Sequence, residues 1–316
     1  MAFESFNEFL STLDNQGELI RISTPVATEL EITEFADREM KKPDGGKALL
    51  FESPTVNGQK TDIPLAINTM GSHQRMAMAL GRDSVDAAAE ELGKLMQAKP
   101  PMGIAETMKL LGSALELRHA KPKEVSRGPC KDIIEHLNTE DSSTSDLSTL
   151  SDLPIQKCWP EDGGRFITLP CVVTQDPDTG ARNLGMYRMQ VFDSQTTGMH
   201  WQTHKVGSHH YRISNELGLE KLDVAVALGG DPATVWTGSA PLPPDMDEMA
   251  AAGFLREEGV DLVKAKTNDL LVPAQAEIVL EGYVTPGEER DEGPFGDHTG
   301  YYSMEDPYPV FHVTCI

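Results

Sequence analysis

A change of pattern part-way along this chain limits what it can fold into. Up to residue 115, helical periodicity alternates with short apolar runs. Phe6, Phe9, Leu10 and Leu13 recur at helical spacing, so a helix is expected over residues 3–17. Strands are expected at 19–22, 48–51 and 64–68, and helices at 29–42, 74–80 and 85–97. Pro100 and Pro101 interrupt the pattern, and a further helix is expected at 104–115. Strands alternating with helices argue for an α/β first domain, residues 1–125. Residues 137–151 are rich in Ser, Thr and Asp and read as an exposed connection. Beyond them come short strand candidates at 166–170, 171–174, 186–192, 224–228 and 277–284. Turn signals at 176–180 and 229–232 separate them, and helices are expected at 208–217 and 245–256. This reads as a β-barrel-like second domain with inserted helices, residues 126–300, and makes the chain α+β. Residues 301–316 read as the start of a further region. The 316 residues suffice for two cores.

The net charge of −23 disfavours nucleic acid and anionic membrane as partners. No apolar run approaches a membrane span, and the first residues lack the basic and apolar parts of a signal peptide. Cys130, Cys158, Cys171 and Cys315 are scattered, with no CxxC pair, which fits a reduced cytoplasmic protein. Neither GxGxxG nor GxxxxGK[ST] occurs, so Rossmann and P-loop readings have no support.

Chemistry concentrates at Glu292-Gly-Pro-Phe-Gly-Asp297-His298-Thr-Gly-Tyr301. Gly293, Pro294 and Gly296 make this a shaped loop rather than a helix or central strand. A buried turn would hold Glu292 and Asp297 together, where both cannot ionise cheaply without a nearby cation. Burial and Glu292 should then disfavour a permanent charge on Asp297. A solvated acidic turn fits the same residues, because Glu288, Glu289 and Asp291 precede it. Arg188 sits among Met186, Val191 and Phe192, where a guanidinium needs an acid. Glu292, Asp297 or any other nearby carboxylate would serve. If 186–192 is one strand, Met186 and Arg188 share a face. Residues 199–210 gather His200, His204, His209 and His210, with Lys205 and Arg212 adding positive charge suited to a phosphate. Asn183, His204 and Glu248 are of the types that bind a hard divalent cation, although each has a plain structural reading too.

Taken together, these stretches resemble the UbiD family of carboxy-lyases, near its 4-hydroxy-3-polyprenylbenzoate decarboxylases. The resemblance rests on Asn183-x-x-x-x-Arg188, Met199-His-Trp-x-x-His204, Ser239-Ala-Pro241, Asp247-Glu248-Met-Ala-Ala-Ala-Gly, residues 272–282 and the 292–301 loop. It implies a split β-barrel flavin-binding domain after the α/β domain, and prenylated FMN as cofactor. Arg188, Glu292 and Asp297 fall on the family's acid–Arg–acid triad. Asn183, His204 and Glu248 fall where the family holds a divalent metal, commonly Mn²⁺, with K⁺ a further candidate. Asn183, Met186, Tyr187, Arg188, His200, Trp201, Gln202, Lys205, Ser239, Ala240 and Pro241 fall on cofactor-lining segments. The implied activity is reversible, non-oxidative decarboxylation of an aromatic or α,β-unsaturated acid. A polyprenylated hydroxybenzoate of ubiquinone biosynthesis comes first, and a menaquinone-pathway naphthoate or another aryl acid next. The implied partners are a small carboxylic acid, a prenyl-flavin synthase that supplies the cofactor, and further copies of the chain. Residues 200–206 depart from the Arg-containing form of some members. Members also continue beyond residue 316, so the C-terminal region with its oligomerisation elements is expected to be absent here. A flavin-binding module that turns nothing over is the alternative. The strand expected at 310–316 would then end as an unpaired edge.

Overall fold

The computed structural model describes residues 3–96, 117–137, 149–243 and 246–316. The helix expected at 104–115 lies outside them, as does most of the 137–151 connection. The described ends of that connection are not exposed. Leu137 and Leu150 are buried, their N–H groups bonded to the Thr314 and Ser194 carbonyls.

The N-terminal part follows the apolar periodicity. Helix α1 (Phe6–Asn15) starts at Ser5, whose hydroxyl accepts from the Glu8 N–H, and buries Phe9, Leu10 and Leu13. Strands β1 (Leu19–Ile22), β2 (Ala48–Phe51) and β3 (Leu65–Ile67) form a small sheet in that order, parallel then antiparallel. Helices α2 (Glu31–Met40), α3 (His73–Ala79) and α4 (Val85–Met96) accompany it. All four residues of β2 are buried, because the strand is central and covered on both faces.

The second part is organised by a six-stranded antiparallel sheet. Its strands are β4 (Cys171–Gln175), β5 (Arg182–Met186), β6 (Thr196–Gly198), β7 (Leu222–Leu228), β8 (Ile278–Glu292) and β9 (Asp306–Cys315). Their order across the sheet is β5-β4-β7-β8-β9-β6. Side chains of β7 alternate between two cores. Val224 and Val226 join Leu280, Tyr187, Trp201 and Phe311 on one face. Ala225 and Ala227 join Val279, Met249, Ala252 and Leu262 on the other. A sheet covered on both faces explains why β7 reads as one apolar run. Helices α5 (Val206–Glu216), α6 (Pro232–Thr237) and α7 (Glu248–Arg256) are inserted between strands.

The barrel reading is not met as a closed barrel, and two further expectations need correction. The sheet is open, with β5 and β6 at its ends, so there is no closed barrel among the described residues. Residues 186–192 are not one strand. β5 ends at Met186, pairing stops at Tyr187 and Arg188, and Met189–Gln190 pairs instead with Phe166–Ile167. The argument that Met186 and Arg188 share a strand face therefore lapses. Finally, β9 is not an unpaired edge. It hydrogen-bonds β8 on one side and β6 on the other.

β8 is long and irregular, with register shifts after Glu281 and Val284. A Cβ on Gly282 would fall onto the His312 carbonyl, so only glycine lets β9 approach at the first bulge. The bent strand carries Glu292 to the end of the sheet, beside Arg188. No helix among the described residues is long and apolar enough to cross a membrane.

Candidate active site

Arg188 leaves the end of β5 where pairing has stopped, which frees its side chain to cross to the last residue of β8. Its Nε and Nη2 both donate to Glu292 Oε1, at 2.9 and 2.6 Å. Nη2 also donates to Ser303 Oγ at 3.0 Å, and the guanidinium lies 4.7 Å from the centre of the Phe295 ring. His200 Nδ1 reaches the same Glu292 oxygen at 2.9 Å, and its ring packs 4.3 Å from that of Tyr308. Glu292 is 1% exposed, and the side chains of Arg188 and His200 are each 13% exposed. The two carboxylate oxygens are unequal. Oε1 serves Arg188 and His200, while Oε2 is buried without a hydrogen-bond partner among the described residues. Such a pair is held in one geometry, because separating it would strand a charge.

The loop after Glu292 is clamped through its backbone. The Gly293 N–H donates to Gln190 Oε1 at 2.7 Å and the Phe295 N–H to Ser303 Oγ at 3.1 Å. Phe295 packs on Phe166, ring centres 4.7 Å apart.

Asp297 is placed differently from the expectation. Its side chain is 34% exposed and makes no hydrogen bond to Arg188 or Glu292. Burial pushes its carboxyl up. Hydrogen bonds from the His298 N–H and ring, each 2.8 Å, and the charges of His298 and Arg188 outweigh this and hold it below its usual range. The Asp297 carboxyl therefore favours its charged form, and it does not meet Glu292.

Of the three metal-ligand candidates, two are brought to one strand. Asn183 is buried on β5, its Nδ2 3.4 Å from Thr174 Oγ1 and Tyr187 Oη. Glu248, first residue of α7, accepts from the next β5 amide, Leu184, at 3.1 Å. Burial raises its carboxyl above the usual value, with bonds from its own and the Leu184 N–H groups opposing. His204 is exposed in the turn before α5 and bonds to neither. Among the described residues no three His, Cys, Asp or Glu side chains gather as a metal site. Asn183 and Glu248 alone are donors of the kind a hard cation takes. The amide nitrogen of Asn183 is used, which leaves its oxygen, and Glu248 is a desolvated carboxylate short of countercharge.

The flavin-lining candidates spread around this corner. Tyr187 is buried, its hydroxyl accepting from the Gly207 N–H at 3.3 Å, and burial pushes its phenol up. Trp201 is a core residue, edge-on to Tyr187, with its indole N–H unpartnered among the described residues. Met186 is half-buried, and Gln202, Lys205, Ser239 and Pro241 are exposed, with Ala240 between. Lys205 is the N-cap of α5 but provides no side-chain cap. Of the first-turn N–H groups, that of Gly207 is taken by Tyr187, and those of Val206 and Ser208 beside a lysine suit a phosphate.

Sequence reasoning missed Gln190, Ser303 and Tyr308. Each is an ordinary polar or aromatic residue whose role arises from a partner far along the chain, and no local signal marks it.

Comparison with known proteins agrees with this fold. The description 3-octaprenyl-4-hydroxybenzoate carboxy-lyase Rift-related domain matches residues 123–316, and that of the N-terminal domain of the same carboxy-lyase matches residues 10–96. An uncharacterized protein of Archaeoglobus fulgidus is 46% identical over 316 residues, which are 100% of this chain and 62% of that protein. The fold is similar to an evolved dimeric form of the UbiD-class enzyme HmfF from Pelotomaculum thermopropionicum, in complex with prFMN. Identity is 28% and the TM-score 0.81, covering 99% of this chain and 64% of that one. It is also similar to the closed form of vanillic acid decarboxylase from Sedimentibacter hydroxybenzoicus. Identity there is 25% and the TM-score 0.82, covering 100% and 62%. This chain thus spans less than two thirds of the length of these relatives, and it belongs to the UbiD family of carboxy-lyases.

Proposed function

We propose that the protein is a prenylated-FMN-dependent decarboxylase of an aromatic or α,β-unsaturated acid. A 4-hydroxy-3-polyprenylbenzoate of ubiquinone biosynthesis is the first candidate substrate. The supporting observation is the shielded Arg188 guanidinium, held by Glu292 Oε1 through Nε and Nη2. Its Nη1 takes no part in those bonds and is the natural partner for a substrate carboxylate. In a largely water-excluded site a charge-assisted contact of this kind both binds and orients.

Loss of CO₂ leaves an electron pair on carbon, and a bound prenylated flavin supplies the sink for it. Arg188 holds the departing carboxylate, and Glu292 keeps Arg188 in place. Asp297 gives a proton to the carbon that lost CO₂. Because its carboxyl favours the charged form beforehand, it must gain that proton during turnover, and the exposed His298 ring at 2.8 Å is the adjacent relay. Asn183, Glu248 and His204 would hold a divalent cation, Mn²⁺ first and K⁺ next, against the flavin phosphate, with Lys205 and the start of α5 nearby. The remaining parts of the reading are a cytoplasmic homo-oligomer, a split-barrel flavin domain and a prenyl-flavin synthase as cofactor supplier.

The test is coexpression with a prenyl-flavin synthase, visible absorbance of the purified protein, and CO₂ release from a panel of aryl and acrylic acids. Flavin-loaded wild type should release CO₂ and exchange substrate hydrogen for deuterium. Arg188→Ala should keep flavin and lose both reactions. A loaded wild type inactive on the whole panel, or an unimpaired Arg188→Ala, would refute the reading.

A further inference from the structure

Asp162 lies in Cys158-Trp-Pro-Glu-Asp-Gly-Gly164, a stretch far in sequence from the 292–301 loop. It is 5% exposed, and among the described residues none of its hydrogen bonds comes from a cationic group. Its Oδ2 accepts from the Cys158 and Trp159 N–H groups at 3.1 and 2.9 Å. Its Oδ1 accepts from the Gly296 N–H at 2.8 Å, across to the residue before Asp297. A buried carboxylate bound only by backbone amides has all its bonding capacity directed at chain position.

The same two loops meet at three other points. The Gly163 N–H donates to the Pro294 carbonyl at 2.7 Å. A Cβ on Gly163 would lie 2.6 Å from Gly293 Cα, so the backbones touch where no side chain fits. The Trp159 ring lies against Gly296, where any Cβ would collide with it. The loop is therefore secured at Glu292 and at Gly296 by different groups, in addition to its contacts with Gln190 and Ser303. Arg188 and His200 hold its Glu292 end, and Asp162 holds its Gly296 end.

We propose that Asp162 is a positioning residue for Asp297, which rests on the proton-transfer role given to Asp297 above. Asp162 touches neither substrate nor cofactor. It sets where the Asp297 carboxyl stands relative to Arg188, so its loss should affect proton delivery and leave carboxylate binding intact.

Asp162→Asn tests this. An amide can satisfy Cys158 and Trp159 with its oxygen, which turns its NH₂ toward the Gly296 N–H and removes that bond. In the protein without cofactor, amide exchange at Gly296 should rise by roughly tenfold or more, while exchange in β8 and β9 stays unchanged. In the flavin-loaded protein kcat should fall on the order of tenfold to a hundredfold, with KM within about twofold and flavin retention unaltered. An unchanged Gly296 exchange rate overturns the proposal. So does faster exchange with an unchanged kcat, or a loss that falls on KM instead. If Asp162→Asn does not fold, Asp162→Ser decides, since its shorter side chain cannot span from the Cys158 and Trp159 amides to that of Gly296. It should loosen the Gly296 amide in the same way, and an unmoved amide there overturns the proposal too. A wild type that releases no CO₂ sinks the proposed function, yet the amide measurement still decides whether Asp162 holds Gly296.

Discussion

A double-mutant cycle on Arg188 and Glu292 measures how firmly the site is built. Glu292→Leu would leave a guanidinium 13% exposed without its carboxylate. Breaking a buried pair by removing one partner costs about 3–5 kcal/mol. Arg188 retains its bond to Ser303 and its place over Phe295, and the latter offsets about 1 kcal/mol. The expected loss is therefore about 2–4 kcal/mol. Arg188→Met should lose a similar amount, because Glu292 would keep only His200. The double variant leaves neither charge orphaned, and apolar replacement of a whole buried pair is close to neutral. Its loss should fall short of the sum of the singles by about 2 kcal/mol or more. Urea unfolding followed in parallel by tryptophan fluorescence and circular dichroism gives the four stabilities, with coincident curves licensing the comparison. A double variant additive to within about 0.5 kcal/mol would show that the two side chains do not interact as the structure places them.

Other expectations are more local. Burial holds Glu248 above its ordinary value, so the folded chain keeps that proton to higher pH than the unfolded one. Stability should fall as pH rises from the unfolded value through the folded one. A divalent cation on the ionised carboxylate should reverse this, adding about 2.7 kcal/mol at a hundredfold excess over Kd. Thermal midpoints with and without Mn²⁺ at about pH 5 and about pH 7.5 check it, and an equal response in Glu248→Gln would remove the site. Burial pushes the Cys171 thiol up to about 12 and the Cys315 thiol up to about 11. Ellman's reagent at neutral pH should therefore titrate them only on unfolding, and fast reaction of all four cysteines would contradict that burial. Gly282→Ala would drive a methyl into the His312 carbonyl and should lower stability by about 1–3 kcal/mol or more. Unchanged urea unfolding would mean that the first bulge of β8 is not there.

Local periodicity was enough to find most elements. The spacing of Phe9, Leu10 and Leu13 marks α1, and the apolar run of residues 224–228 marks β7, because each pattern is written within one turn or strand. The Gly-Pro turn after Glu292 and the lone Arg188 among apolar residues were legible for the same reason: both violate what a plain helix or strand would carry. The sequence by itself also contains the family motifs. It could not say that β9 lies between β8 and β6, or that β5 stops at Met186, since strand pairing depends on partners far along the chain. Arg188 and Glu292 are 104 residues apart, so only folding makes them a pair. The same holds for the state of Asp297. Its ionisation depends on which donors reach the carboxyl and how much water remains, and the structure puts His298 there instead of Glu292. Asp162 and Ser303 carry no signal at all until two loops meet around them. Side-chain chemistry and periodicity belong to the chain, whereas desolvation, hydrogen-bond partners and the distances between charges come into being only when distant segments pack.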